Sequence, residues 1–356
     1  MEFRRKDRPF VIAGPCSAET REQVLETAEG LKNLDVDLLR AGVWKPRTRP
    51  GNFEGVGAEG IGWLREAGDK IGKPISVEVA NTNHVELALK GGVDVLWIGA
   101  RTTVNPFMVQ EIAEALHGTD TPVLVKNPVN PDVELWIGAI ERLQSVGLTK
   151  LGAIHRGFST FQKSPFRNSP NWNIPIELKR RMSDLPIICD PSHICGSREL
   201  LGEVAQKAID LNMEGLMLET HRDPQKAWSD AAQQVTPSEL ERILSGLIWR
   251  NPSSADLEVK AKLEELRSTI DGLDRDILDL LLERLTVSRS IGEYKREHNI
   301  TILQHQRWNE ILHDRESYVK GKDLSYRFLH EFLEALHQES IQQQTDVMNA
   351  KRPESL

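Results

Sequence analysis

The chain has 356 residues, 39% of them apolar and 28% charged, with a formal net charge of −8. That length suits about two domains, and the acidic balance argues against a nucleic-acid binder, which needs a basic face. No apolar run approaches the ~20 residues that span a bilayer, the N-terminus lacks the apolar stretch of a secretory leader, and three cysteines are too few for a disulfide framework, so a reducing, cytoplasmic setting is expected.

In chain order, short apolar runs recur at Phe10–Cys16, Val36–Val43, Ile75–Ala80, Val95–Ala100, Pro122–Val125, Leu151–Ile154, Pro186–Cys189 and Gly215–Leu218. Their near-continuous apolar character suits parallel strands buried on both faces. Amphipathic stretches fall between them, among them Arg21–Leu34, Gly57–Lys70, Pro106–Leu116, Val133–Val146 and Ser197–Leu211. Strand–helix units repeated over about 250 residues match the size of a (β/α)8 barrel. An open doubly wound sheet usually begins with a glycine-rich phosphate turn, and Gly14-Pro-Cys-Ser17 is not one.

Of the 18 prolines, only Pro353 lies beyond residue 252. The pattern Leu263, Leu266, Ile270, Leu273, Ile277, Leu280, Leu281, Val287, Ile291, Tyr294 predicts one long amphipathic helix. Shorter helices are expected over Gln304–Arg315 and Tyr326–Thr345. The expected division is a barrel over 1–250, a linker over 251–258 and an all-helical domain over 259–356. The long helix exceeds what a small domain can cover, so at least a dimer is expected through it. Arg284 falls on its apolar stripe with Lys295 nearly in line and Arg267 at the edge. Local salt bridges to Asp274, Asp276 or Glu283 would satisfy one such arginine; three cations suggest an anionic ligand.

The strand ends carry the chemistry. In order they present Cys16; Arg40 and Lys45; Glu78; Arg101; Lys126; His155 and Arg156; Asp190 and His193; Glu219 and His221. In a (β/α)8 barrel the C-terminal strand ends form the active face. Arg40, Lys45, Arg47, Arg101, Lys126 and Arg156 would repel one another unless small, multiply anionic phosphate compounds bind among them. Cys16, His193, Glu219 and a nearby aspartate form a plausible divalent-metal set. Taken singly, Cys16 reads as a buried strand cysteine and His193 as a core or capping histidine; strands seven, eight and one become neighbours only when the barrel closes.

Gly14-Pro-Cys-Ser17, Lys45-Pro-Arg-Thr48, Gly99-Ala-Arg101, Asp190-Pro-Ser-His193 and Glu219-Thr-His221 followed by Ser229-Asp230 resemble the short-form (type Iβ) 3-deoxy-D-arabino-heptulosonate 7-phosphate synthases. The resemblance implies condensation of phosphoenolpyruvate with erythrose 4-phosphate, releasing phosphate. It implies one divalent ion per barrel, manganese foremost, on Cys16, His193, Glu219 and Asp230. Arg40, Lys45, Arg101, Lys126 and Arg156 would hold phosphoenolpyruvate, Lys45, Arg47 and Thr48 the aldose phosphate, and Gly99 and Ala100 would be substrate-binding as well. Lys45 could move a proton and Glu78 orient the water. The rival is an octulosonate-phosphate synthase, whose strand-two loop normally reads Lys-Ala-Asn-Arg-Thr-Ser.

Leu266-Arg-Ser-Thr-Ile-Asp-Gly-Leu-Asp274 and Gly292-Glu-Tyr-Lys295 resemble the all-helical AroQ-type chorismate mutases, which form intertwined dimers. By position, Arg267 from the second chain, Arg284 and Arg307 would bind the carboxylates of chorismate and neighbouring groups. Lys295 and Gln344 would serve the breaking ether oxygen, and Ser340 a carboxylate. Arg307-Trp308 stands where that family commonly has Arg-Glu, and Gln304 where it has aspartate. The tail is expected to be a mutase that also confers feedback by prephenate or chorismate; a ligand-sensing or dimerisation module is the alternative.

Overall fold

The computed structural model describes residues 2–45, 51, 53–161, 164–251, 253 and 256–350. Among them, eight parallel strands form a closed barrel: β1 (Phe10–Gly14), β2 (Leu38–Arg40), β3 (Ile75–Val79), β4 (Val95–Ile98), β5 (Val123–Lys126), β6 (Leu151–His155), β7 (Ile187–Cys189) and β8 (Gly215–Glu219). Each strand pairs with its sequence neighbour, and β1 closes onto β8 with Phe10 opposite Gly215 and Gly14 opposite Glu219. The surrounding helices are α1 (Arg21–Leu31), α2 (Glu59–Ile71), α3 (Thr82–Lys90), α4 (Ala100–Thr103), α5 (Pro106–Leu116), α6 (Val133–Ser145), α7 (Asn173–Arg181), α8 (Pro191–Cys195), α9 (Leu201–Asp210) and α10 (Pro237–Ser245). Contacts divide the chain into two compact units, Met1–Pro252 and Ser253–Leu356.

Away from their C-terminal ends the strands are largely apolar because both faces are covered. Phe10, Ile12, Leu38, Val95, Trp97, Leu124, Ile154, Ile188 and Met217 point inward and fill the barrel. Val11, Ala13, Leu39, Val77 and Val125 point outward and pack under the helices. At the N-terminal end Phe3 meets Phe10 edge-on, ring centroids 5.7 Å apart, and seals the floor. Asp37, just before β2, accepts from Arg5, Arg8 and the Val11 N–H and ties the N-terminal segment to the barrel.

Helix starts follow their capping residues. Thr20 caps α1 and Asn105 caps α5, with Pro106 in the first turn where its missing N–H costs nothing. Thr236 and Glu239 form a reciprocal capping box on α10. Gly14 holds φ +143, and a Cβ there would collide with the Arg40 carbonyl oxygen. Glycine therefore lets the end of β1 approach the end of β2, where two of the chemistry-bearing strand ends lie.

In the second unit α11 (Leu257–Glu297) is 41 residues long and starts on an Asp256 cap. It is followed by α12 (His305–Val319) and α13 (Tyr326–Asn349). α13 packs on the C-terminal half of α11, where Ser288, Gly292, Ser340 and Gln344 are buried. A Cβ on Gly292 would stand only 3.0 Å from Gln344 Cα, so glycine sets how closely the helices pack. Leu263, Leu266, Ile270, Leu273, Ile277, Leu280, Val287 and Ile291 lie exposed along α11 in the single chain.

Candidate active sites

At the C-terminal rim of the barrel the charged strand ends meet. Arg40 and Lys126 are nearly buried, at 1% and 3% exposure, and both lie over the Trp97 ring, 4.9 and 5.9 Å from its centroid. Arg40 donates to the Cys16 carbonyl at 3.1 Å and stands 3.3 Å from a Glu219 oxygen. Lys126 Nζ pairs with Asp190 at 3.1 Å.

Arg156 is the most telling cation. It is buried, and its guanidinium donates to the neutral Asn168 side chain at 2.7 Å. Among the described residues no carboxylate forms an ion pair with it. Burial, only partly opposed by Asp190 and reinforced by Arg101 and Arg167, pulls its pKa down to about 10. A guanidinium held out of water beside two other cations is a seat for an anion. Arg101 lies exposed in α4, whose N-cap is Gly99 and first residue Ala100. A Cβ on Gly99 would collide with the Glu78 carboxylate, whose other oxygen accepts from Trp97 Nε1 at 2.8 Å. Arg47 and Thr48 lie outside the described residues.

Cys16, His193, Glu219 and Asp230 stand on the same rim as two pairs. Cys16 Sγ lies 3.3 Å from Asp230 Oδ2, and His193 Nε2 lies 3.8 Å from Glu219 Oε1. Among the described residues no three of them enclose a single point tightly enough to ligate an ion in this arrangement. Lys45 Nζ donates to Cys16 Sγ at 2.9 Å. Burial, then Glu219, pushes the Cys16 thiol up to about 12, so it is protonated at neutral pH. Accepting from Lys45 and donating to Asp230 is what a neutral thiol there would do. Burial works against the charge of Lys45, but the Cys16 sulfur it bonds and the Glu219 carboxylate outweigh burial and raise its pKa.

The donor chemistry nonetheless fits a divalent transition ion. One thiol, one imidazole and two carboxylates are borderline-soft to hard ligands, and the buried Glu219 Oε1 has no hydrogen bond. His193 Nδ1 lies 2.8 Å from Asp190 Oδ2 but out of line for a hydrogen bond. Asp230 holds φ +45, a left-handed conformation that aspartate tolerates better than most side chains.

Several supporting groups escaped the sequence reading as site residues. Asp190 joins Lys126 to His193; burial would raise its pKa, but His193 and Lys126 hold it far below the carboxylate range. Gln233 donates to Glu219 Oε2 at 2.6 Å, and Arg167 pairs with Asp230 at 2.9 Å. Asp190 was legible as a strand end. Gln233 and Arg167 sit in loops with no periodic signal.

In the helical unit four of the expected residues come together. Arg284 donates to Ser340 Oγ at 2.7 Å, and Lys295 Nζ donates to Gln344 Oε1 at 3.1 Å and to the Ile302 carbonyl at 2.6 Å. Partial burial lowers the pKa of Lys295. Arg267 and Arg307 do not join them within one chain; they are exposed and pair with Glu264 and Glu310 on their own helices. Trp308 stacks on His337, centroids 4.1 Å apart.

Residues 4–251 match the model of the DAHP synthetase I family. The chain belongs to that family. Residues 266–345 match the model of chorismate mutase type II. A phospho-2-dehydro-3-deoxyheptonate aldolase of Thermotoga maritima is 36% identical over 225 residues, which cover 63% of this chain and 64% of that relative. The chain thus spans under two thirds of that relative's length. A 2-dehydro-3-deoxyphosphooctonate aldolase of Vesicomyosocius okutanii is 28% identical, over 67% of this chain and 89% of that one. The crystal structure of the Thermotoga maritima DAHP synthase superposes with a TM-score of 0.61 at 33% identity, covering 67% of this chain and 68% of its own.

Proposed function

We propose that the barrel condenses phosphoenolpyruvate with erythrose 4-phosphate to give 3-deoxy-D-arabino-heptulosonate 7-phosphate and phosphate. The observation that carries this is the buried Arg156, which among the described residues forms no ion pair with a carboxylate, on one rim with Arg101, Lys126, Cys16, His193, Glu219 and Asp230. A divalent ion held by those four would supply Lewis-acid polarisation of the aldehyde oxygen.

The rest falls to the chain. Arg156, Arg101 and Lys126 hold the phosphate and carboxylate and stabilise the charge that moves onto phosphate as it departs. Carbon 3 of phosphoenolpyruvate bonds to the aldehyde carbon, whose oxygen takes a proton. Water adds at carbon 2, loses a proton, and the carbon–oxygen bond to phosphate breaks. Lys45, its ammonium at the rim, is the proton carrier. Glu78, fixed by Trp97, orients the water.

The helical unit rearranges chorismate to prephenate. That reaction needs no acid, base or nucleophile, only a held conformer and a cation at the ether oxygen. Arg284 with Ser340 binds a carboxylate, and Lys295 with Gln344 faces the ether oxygen. Arg267 from a second copy and Arg307 complete the site. The exposed stripe of α11 makes the dimer: eight half-exposed side chains regain roughly 1 kcal/mol each on burial, or about 8 kcal/mol in all. Chorismate or prephenate bound there feeds back on the barrel through unequal affinity for two states of the assembly.

A paired assay tests the two activities. Purified protein is expected to consume phosphoenolpyruvate with erythrose 4-phosphate, faster than with arabinose 5-phosphate, and to consume chorismate. A chelator stops only the first reaction. Loss of both on chelation, or preference for the pentose phosphate, overturns the assignment.

A further inference from the structure

Trp44 immediately precedes Lys45, and its indole lies flat on the His84 imidazole, with centroids 3.9 Å apart and planes within 4°. His84 is itself held in the first turn of α3. Its backbone N–H donates to the Asn81 cap at 2.9 Å, and its Nδ1 accepts from the Ala80 N–H at 3.3 Å. An accepting Nδ1 places the proton on Nε2 and makes the ring neutral. Burial, opposed by Glu78, lowers the His84 pKa and keeps it so.

The chain at 43–45 is fixed on both sides of the stack. The Val43 carbonyl accepts from the Gly57 N–H at 2.9 Å, and the Lys45 N–H donates to the Glu54 carbonyl at 2.8 Å. These bonds set the path of the backbone, and the flat ring contact adds a side-chain anchor at residue 44, next to the residue whose ammonium reaches Cys16. Farther along the same segment, the Phe53 ring meets Trp228 edge-on at 5.2 Å.

We propose that His84 is a positioning residue for the barrel reaction: its ring is the platform on which Trp44 rests, and through Trp44 it aims Lys45 across the rim. This rests on the synthase reading given above. The competing role is purely structural, with His84 bonding the Ala80 N–H at the start of α3.

Two substitutions in the full-length protein separate these roles. His84→Gln keeps an acceptor for the Ala80 N–H and loses the stack; His84→Phe keeps a flat ring and loses the acceptor. A displacement of about 1 Å at a reacting group can cost ~10²-fold. His84→Gln should accordingly lower kcat of the condensation by roughly 10- to 100-fold, and His84→Phe by no more than about 2-fold. KM for phosphoenolpyruvate should change far less than kcat in both, because Arg101, Lys126 and Arg156 lie at the ends of β4, β5 and β6. Acetylation of Lys45, followed by mass spectrometry, should speed up several-fold in the glutamine variant only. The barrel's melting midpoint reports folding, and chorismate consumption in the same tube reports the amount of intact chain. A glutamine variant with wild-type rate and labelling, or a phenylalanine variant as impaired as the glutamine one, overturns the proposal. If wild type shows no condensation, the synthase reading fails, and Lys45 labelling still decides the stack.

Discussion

Lys126→Met removes an ammonium from the base of the rim while nearly conserving side-chain volume, so no cavity confuses the result. Lys126 and Asp190 are both buried and 3.1 Å apart. Breaking such a pair from one side costs ~3–5 kcal/mol, because the other charge is stranded. Asp190 keeps the His193 N–H, 3.1 Å away, which places the loss at the lower end, about 3 kcal/mol. For a unit of this size each kcal/mol moves the melting midpoint by ~2–4 °C, so the barrel should melt roughly 6–12 °C lower. Removing one cation aimed at a transition-state charge costs about 10²–10³-fold, which is the expected fall in kcat/KM for phosphoenolpyruvate. Calorimetry and a phosphoenolpyruvate-loss assay, with chorismate turnover as control, measure both. A midpoint within ~2 °C of wild type together with unchanged kcat/KM would refute the reasoning from buried charge.

Three further outcomes are expected. Arg284→Ala should lower chorismate turnover by about 10²–10³-fold and leave the condensation intact; an unaffected turnover would remove the case for a mutase. Leu280→Glu, at a position 64% exposed in one chain, should split the dimer in sedimentation and abolish chorismate turnover with it. Asp37→Asn should cost about 2 kcal/mol at pH 7, as a buried acceptor of charged hydrogen bonds is weakened. Burial would raise the Asp37 pKa, but Arg8, the Val11 N–H and Arg5 outweigh it and lower it. Its stabilisation is therefore complete above the unfolded value near ~3.9 and is lost as pH falls through the lower folded one. The gap between wild type and variant in urea midpoint should shrink below about pH 4; a constant gap contradicts the assignment.

The barrel was readable because burial on both faces leaves unmixed apolar runs, and because Cys16, Arg40, Lys126 and Glu219 interrupt that apolarity at the same end of each strand. Strand lengths were less readable: β2 spans Leu38–Arg40 inside a longer apolar run, since residues flanking a strand are buried here as well. The 3–4 spacing announced α11, and its start at Leu257 follows from an Asp256 cap rather than from periodicity. Contacts among distant loops left no local mark. Asp190 on Lys126, Gln233 on Glu219 and Trp44 on His84 each join segments many residues apart, and neither partner is unusual by itself. Arg267 and Arg307 carried the right residue type at the right spacing, yet each turns to a glutamate one helical turn away when only one chain is present.

The sealed floor under Trp97 gives the rim reaction a direction. With Phe3 and the inward side chains filling the cylinder, molecules can reach the cations only from above and must leave the same way. Lys126 and Arg40 sit at the bottom of that well, over the Trp97 ring, while Arg101 is exposed at its mouth. On the function proposed above, a blind-ended vessel of this kind fills in order, the enol phosphate before the sugar, and empties only after the larger product has cleared the mouth.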